Sequence, residues 1–362
     1  LIGIIFLLNT SFAPYMNKYI SILEQENEDF EIIYWDRLGS PDCPEKYKSI
    51  VFQKPSRLNL SHKDKIKDFL EFRRFVIKNI NKRKYDKLIV LTSLTGIFLF
   101  DYLQKNYKNK FIFDIRDYTF ENFYPYKMIE NRVIKSSYFT TISSEEFKMF
   151  LPSSNKYILS HNILREEIEQ ANEFNKPKER DGIITVSFIG AIRHFDIDSK
   201  IALKLANDDR FKVVYHGYGV AYEKFKAFCQ ERKLDVQITG KYDRKDKIKL
   251  LANADIINAY YGIESYANLF AMPNKYYDSL IYKIPFWANP KVYSGQRSIK
   301  SGIGLNADLE SESFANDLYH EYMEIDRLKF ERDCNQELSK VVKEDELFIS
   351  KVQEFIEIGG LK

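Results

Sequence analysis

The sequence lacks most of the features that place a protein quickly. Its three cysteines, Cys43, Cys229 and Cys334, lie far apart and outside any CxxC pair. That spacing excludes a disulfide framework and a cysteine zinc site, and it points to a reducing compartment, the cytoplasm. Glycine (14) and proline (10) are too scarce for a collagen-like or low-complexity chain of 362 residues. Neither sign of charge dominates: 55 Lys and Arg against 52 Asp and Glu leave +3, short of the basic excess that would make nucleic acid a partner. Long apolar runs are missing too. Leu1–Leu8 stops at Asn9 with no basic residue ahead of it, and so reads as a buried strand rather than a signal peptide. The run Leu88–Phe100 is interrupted by Thr92, Ser93, Thr95 and Gly96, so no transmembrane helix is expected. GxSxG, P-loop and GxGxxG patterns are all missing, which removes the usual pointers to hydrolase, nucleoside triphosphatase and dehydrogenase chemistry.

What is present is a regular alternation. The chain is 44% hydrophobic and 30% charged, and its length suits two domains of roughly 150 to 200 residues. Short Ile/Val/Phe/Tyr runs predict strands near Ile2–Leu8, Glu31–Trp35, Lys87–Leu91, Lys110–Asp114 and Phe139–Ser143, with helices such as Pro14–Gln25 and Lys65–Asn81 between them. After a charged stretch the alternation resumes at Ile183–Ile189, Phe211–Tyr215, Val236–Thr239, Asp255–Ala259 and Pro285–Ala288. The expected fold is α/β, with two Rossmann-like doubly wound domains facing a central cleft: residues 1–164, a linker over 165–182, residues 183–344, and a C-terminal helix over 345–362.

Three segments carry candidate chemistry. In Met272-Pro273-Asn274-Lys275-Tyr276-Tyr277-Asp278, Pro273 suits a helix start, where free backbone N–H groups favour an anion. Lys275 opposes the helix dipole there, which fits a ligand better than it fits helix stability; a solvated lysine beside a capping Asn274 is the alternative. In Phe188-Ile189-Gly190-Ala191-Ile192-Arg193 a strand runs into a small-residue turn, where Gly190 admits a close ligand and Arg193 suits a phosphate; a tight turn with a solvated arginine is the alternative. In Phe113-Asp114-Ile115-Arg116-Asp117, two carboxylates flank one arginine at a strand end, either in a polar cleft or as a surface ion pair.

Taken together, FIGAIR (188–193), YHGYG (215–219), ITGKY (238–242), ADIINAYY (254–261) and PNKYYDSLIYKIPFWA (273–288) resemble the C-terminal half of GT-B glycosyltransferases. The likeness is to the family 4-like enzymes of bacterial capsule and exopolysaccharide synthesis. It implies a donor-binding second domain in which Arg193 and Lys275 face the diphosphate of a nucleotide sugar, with Gly190, Asn274 and Asp278 beside it. Asp278 stands where relatives carry the second acid of an E-x7-E pair; the first position here is Phe270, and Glu264 is the nearest upstream carboxylate. The resemblance also implies an acceptor-binding first domain, in which Asp117 is the candidate catalytic polar residue. Arg116 replaces the histidine usual there, and Asn9 follows the first strand, where relatives place an acceptor-facing loop; a polar strand end that only caps the next helix is the alternative.

The implied reaction is a retaining, metal-independent sugar transfer to a hydroxyl of a lipid-linked or other surface glycan. The nucleotide sugar is the co-substrate, and no further cofactor is required. A catalytically inactive binding subunit and a nucleotide-sugar epimerase are the alternatives. Asp196-Ile197-Asp198 imitates a metal-binding DxD, but its place ahead of Ile201, Leu203 and Leu205 predicts a helix N-cap, and no metal site is expected. The mixed basic and apolar helix at 65–87 suits either packing on its own sheet or contact with an anionic membrane surface, at the inner face of the plasma membrane.

Overall fold

The computed structural model describes residues 1–55, 62–163, 165–171 and 182–358. Its central strands are runs of Ile, Val, Phe and Tyr buried on both faces, the composition that parallel sheets covered by helices require. The first unit, Leu1–His161 with Lys343–Lys362, holds β1 (Ile2–Phe6), β2 (Phe30–Asp36), β3 (Ser49–Gln53), β4 (Lys87–Leu91), β5 (Phe111–Ile115), β6 (Phe139–Ile142) and β7 (Tyr157–Leu159). The second unit, Asn162–Val342, holds β8 (Ile184–Ile189), β9 (Phe211–His216), β10 (Val236–Gly240), β11 (Ile256–Asn258), β12 (Phe286–Trp287) and β13 (Gly304–Leu305). All pairings are parallel, in the orders β3-β2-β1-β4-β5-β6-β7 and β10-β9-β8-β11-β12-β13. Both are the doubly wound order, in which the direction of winding reverses beside the first strand of each sheet.

The helices of the first unit are α1 (Met16–Gln25), α2 (His62–Arg83), α3 (Ser93–Asn106) and α4 (Tyr124–Ser136). In α1, Met16, Tyr19, Ile20 and Leu23 recur at helical spacing and are buried against Ile4, Phe6, Ile32 and Tyr34. The aromatic face of α2 packs on the unit's own sheet: Phe69 and Phe72 lie against Trp35, and Phe75 against Phe52, while Ile66 and Leu70 stay exposed. Among the described residues no helix is long and apolar enough to cross a membrane.

The second unit carries α5 (Arg165–Ala171), α6 (Phe195–Leu205), α7 (Tyr222–Glu231), α8 (Lys247–Ala252), α9 (Tyr266–Phe270), α10 (Asn274–Tyr282), α11 (Tyr293–Lys300) and α12 (Phe314–Met323). Its core has two layers: Val186, Phe188, Val213 and Tyr215 face Ile201, Leu205 and Phe225 on one side. Ile189, Ile257 and Phe286 face Tyr276 and Leu280 on the other. The last helix, α13 (Arg327–Glu357), starts well before the helix expected from 345; its Phe330, Cys334 and Val341 belong to the second unit's core, its Phe348, Val352 and Phe355 to the first's. Of the linker expected over 165–182, residues 165–171 form α5 and residues 172–181 lie outside the described residues.

Candidate functional site

In the second unit the strand order reverses between β8 and β11, so a ligand crevice is expected outside their carboxyl ends. Four segments meet there: the loop Gly190–His194 after β8, Gly217–Gly219 after β9, Tyr260–Ser265 after β11, and the start of α10. Gly217 has φ +137°, and a Cβ on it would lie 1.8 Å from the Gly190 carbonyl oxygen. Only glycine allows these two loops to lie backbone to backbone. At Gly190 itself, φ +149°, an added Cβ would reach within 3.4 Å of the Lys275 ammonium, so its missing side chain leaves that charge uncovered.

Lys275 is the focus. Its side chain is buried, 7% exposed; Nζ donates to the Tyr261 hydroxyl at 2.8 Å and lies 3.8 Å from the centroid of the Phe188 ring. Among the described residues no carboxylate forms an ion pair with it. Removing an ammonium from water costs several kcal/mol, whereas a cation–π contact returns only about 0.5 to 2. The positive end of α10, which no side chain caps, adds repulsion. A buried cation so poorly compensated is a candidate anion contact. Arg193, exposed on the facing loop, makes no ion pair among the described residues, and exposed Asn274 is the first residue of α10. Pro273, not Asn274, occupies the cap position.

Two neighbours, Tyr261 and His194, carry no signal in the sequence pattern. Tyr261 bridges Lys275 and His194, whose ring centroid is 5.2 Å from its own. His194 has its pKa lowered by burial, then by Arg193 and Lys275, with Glu264 opposing. Beneath them Phe188 stacks on Tyr215 at 5.2 Å, and Asp198 lies buried with Oδ2 making no hydrogen bond among the described residues. Burial pushes the Asp198 carboxyl up to about 7 against the Tyr215 hydroxyl and Lys275. Asp198 is therefore not the N-cap expected of it: α6 is capped at His194, and Asp198 shares the buried face with Ile201, Ala202 and Leu205. Asp196, two residues away, points to the opposite, exposed side, so the DxD pair cannot converge on one ion. Among the described residues no group of three or more His, Cys, Asp and Glu is placed to hold a metal.

Asp278 lies deeper. Its Oδ1 pairs with Lys247 of α8 at 2.6 Å, and the same ammonium lies 3.7 Å from Glu167 of α5. Burial raises the Asp278 pKa, with Lys247 opposing. The pair ties α10 to its neighbours. Phe270 stacks on Tyr266, and exposed Glu264 lies beside His194 instead of Asp278.

In the first unit the expected residues separate. Asn9 is fully buried, and its amide is consumed: Nδ2 donates to Asp36 Oδ1 (2.8 Å) and the Ser40 carbonyl (3.3 Å), while Oδ1 accepts from the Arg37 and Leu38 N–H groups. All four of its hydrogen-bonding positions are filled, so it staples a loop where an acceptor-facing residue was expected. Buried Arg116 turns inward, bidentate to Asp114 and bonded to Ser160 through its carbonyl (2.9 Å) and hydroxyl (3.0 Å). Asp117 alone of this set is exposed.

A second polar feature lies between α3 and α4. Glu130 is fully buried, and among the described residues neither of its carboxylate oxygens, nor Glu121 Oε1, Tyr126 Oη or Ser93 Oγ, makes a hydrogen bond. Burial, then Glu121, pushes the Glu130 carboxyl up to about 8.

No family model matches the chain, and no curated protein matches it in sequence. Solved structures match it in shape. Sucrose-phosphate synthase from Thermosynechococcus elongatus superposes with a TM-score of 0.66 at 12% identity, over 99% of this chain and 97% of that one. Anabaena HepE in complex with UDP gives 0.67 at 9% identity, over 97% and 100%. The lipopolysaccharide outer core galactosyltransferase WaaB gives 0.61 at 15%, over 92% and 94%. At these identities the likeness establishes the architecture: the chain has the α/β fold of GT-B glycosyltransferases.

Proposed function

We propose that the protein is a glycosyltransferase that binds a nucleotide sugar in its second unit and moves the sugar to a hydroxyl acceptor. One observation carries the reading: Lys275, a buried ammonium without a carboxylate partner, lies at the carboxyl ends of β8 and β11 and the start of α10. The UDP-bound HepE structures support it by likeness of fold. In this account Lys275, Arg193 and the first N–H groups of α10 surround the diphosphate, and Gly190 gives it room. Each charge-assisted contact contributes about 1.5 to 3 kcal/mol. The bond from the anomeric carbon to the diphosphate breaks, a bond to the acceptor oxygen forms, and the acceptor proton departs with the diphosphate. Lys275 and Arg193 offset the charge that develops on the leaving group, a role divalent ions fill elsewhere. The transfer proceeds with retention, and the acceptor is a lipid-linked or other surface glycan presented near Asp117, at an anionic membrane surface.

A second reading has its own observation. Asn9 and Arg116 are both consumed by bonds within the chain, which suits a donor-binding subunit without catalysis. Calorimetric titration with UDP, GDP and ADP, followed by release of nucleoside diphosphate from a panel of nucleotide sugars, separates the cases. Binding with turnover supports the transferase; binding without turnover supports the subunit. Failure to bind any of the three contradicts both.

A further inference from the structure

We propose that His194 is a third contact to the donor diphosphate, neutral in the free protein and protonated as the donor binds, so that donor affinity is coupled to pH. The inference rests on the nucleotide-sugar reading above and deepens it with a residue and its regulation.

The placement comes first. His194 is the residue between the β8 loop and α6, one position beyond Arg193. Its ring stands 5.2 Å from the Tyr261 ring, and the Tyr261 hydroxyl receives the Lys275 ammonium at 2.8 Å. One phenol thus forms a common wall for imidazole and ammonium, at the mouth that Gly190 leaves uncovered. The charges facing the imidazole come from three elements: Arg193 on its own loop, Lys275 on α10, and Glu264 on the loop after β11. Asp198, on α6 itself, is buried and faces Tyr215 and Lys275.

In the free protein, burial and two cations disfavour a charged imidazole, and exposed Glu264 offsets only part of that. A diphosphate between Arg193 and Lys275 reverses the local field. Its negative charges then favour the imidazolium, which donates a charge-assisted hydrogen bond. Linkage fixes the sign. Binding takes up a proton, so this contribution to affinity is present at low pH and fades as the pH rises past the imidazole's bound-state pKa.

The test titrates wild type, His194→Gln and His194→Lys with UDP, GDP and ADP between pH 5.5 and 8.5. The terminal phosphate of the nucleotide also titrates in this range, but its contribution is common to all three proteins and cancels in the ratio of dissociation constants. For His194→Gln against wild type the expected ratio is about tenfold at the acid end and near one at the alkaline end. The permanently charged His194→Lys is expected to bind more tightly than wild type at pH 8.5. Ratios that do not change with pH would overturn the inference while leaving the nucleotide-sugar reading intact. Wild-type protein that binds none of the nucleotides at any pH would overturn both.

Discussion

Replacing Glu130 by glutamine should make the first unit more stable, and increasingly so as pH rises. Tyr126, Glu130, Val133 and Ile134 share the buried stripe of α4, so this carboxyl is shut off from solvent, and among the described residues neither oxygen makes a hydrogen bond. Burial and the neighbouring Glu121 raise its pKa from 4.5 to about 8. For an acid raised in this way, the folded state holds the proton that the unfolded chain has already lost. Stability is therefore greatest below about pH 4.5, falls between 4.5 and 8, and is flat above. At 1.36 kcal/mol per pH unit the whole window corresponds to about 5 kcal/mol, of which about 3 is already lost at pH 7. Glutamine keeps the shape and removes the titration. Relaxation around the site reduces the gain, and roughly 2 to 3 kcal/mol at pH 8 is the expected difference. Urea unfolding followed by Trp35 fluorescence in a Trp287→Phe background reads the first unit alone, because Trp35 is in β2 and Trp287 is in β12. The stability gap should open steadily from pH 5 to 8. Curves that stay parallel, or a variant less stable than wild type at pH 8, would refute the reasoning.

Two further expectations concern residues of opposite character. Asn9→Ala removes four hydrogen bonds and leaves the Arg37 N–H group without its acceptor, while the Leu38 N–H keeps Asp36 Oδ1, so the first unit should lose roughly 2 to 4 kcal/mol in urea unfolding, with nucleotide affinity in calorimetry unchanged. Arg193→Ala should do the reverse: exposed and without an ion pair among the described residues, it should change the unfolding free energy in urea by less than about 0.5 kcal/mol yet weaken nucleoside diphosphate binding roughly ten- to a hundredfold.

The strands most legible in the sequence are those buried on both faces, because their apolar runs are continuous; β1, β4 and β8 fall within the expected segments, and β5 and β9 run one residue past theirs, to Ile115 and His216. The edge strand β3 and the short strands β7 and β13 gave little signal, since they are partly exposed or only two or three residues long. Lys275 could be singled out because a cation at the start of a helix conflicts with a local rule. Asp198 was misread because an acid near a helix start ordinarily caps it; only its spacing to Ile201, Ala202 and Leu205 placed it on the core stripe. Which of Arg116 and Asp117 turns inward depended on Asp114 and Ser160, a partner 44 residues away that no local pattern reveals. His194 stood next to Arg193 in the sequence, but its value lies in the Tyr261 ring, brought over by a different loop.

One substitution at Lys275 tests the proposed diphosphate contact with two opposed readouts. Lys275→Met keeps the length of the side chain and its contact with Phe188 while deleting the buried charge. If the position is kept for an anion at the expense of the fold, the variant should melt a few degrees higher, about 1 kcal/mol for a unit of this size, while UDP, GDP and ADP binding falls at least tenfold. A variant that melts lower and binds these nucleotides as wild type does would show that Lys275 serves the fold alone, and would contradict the account.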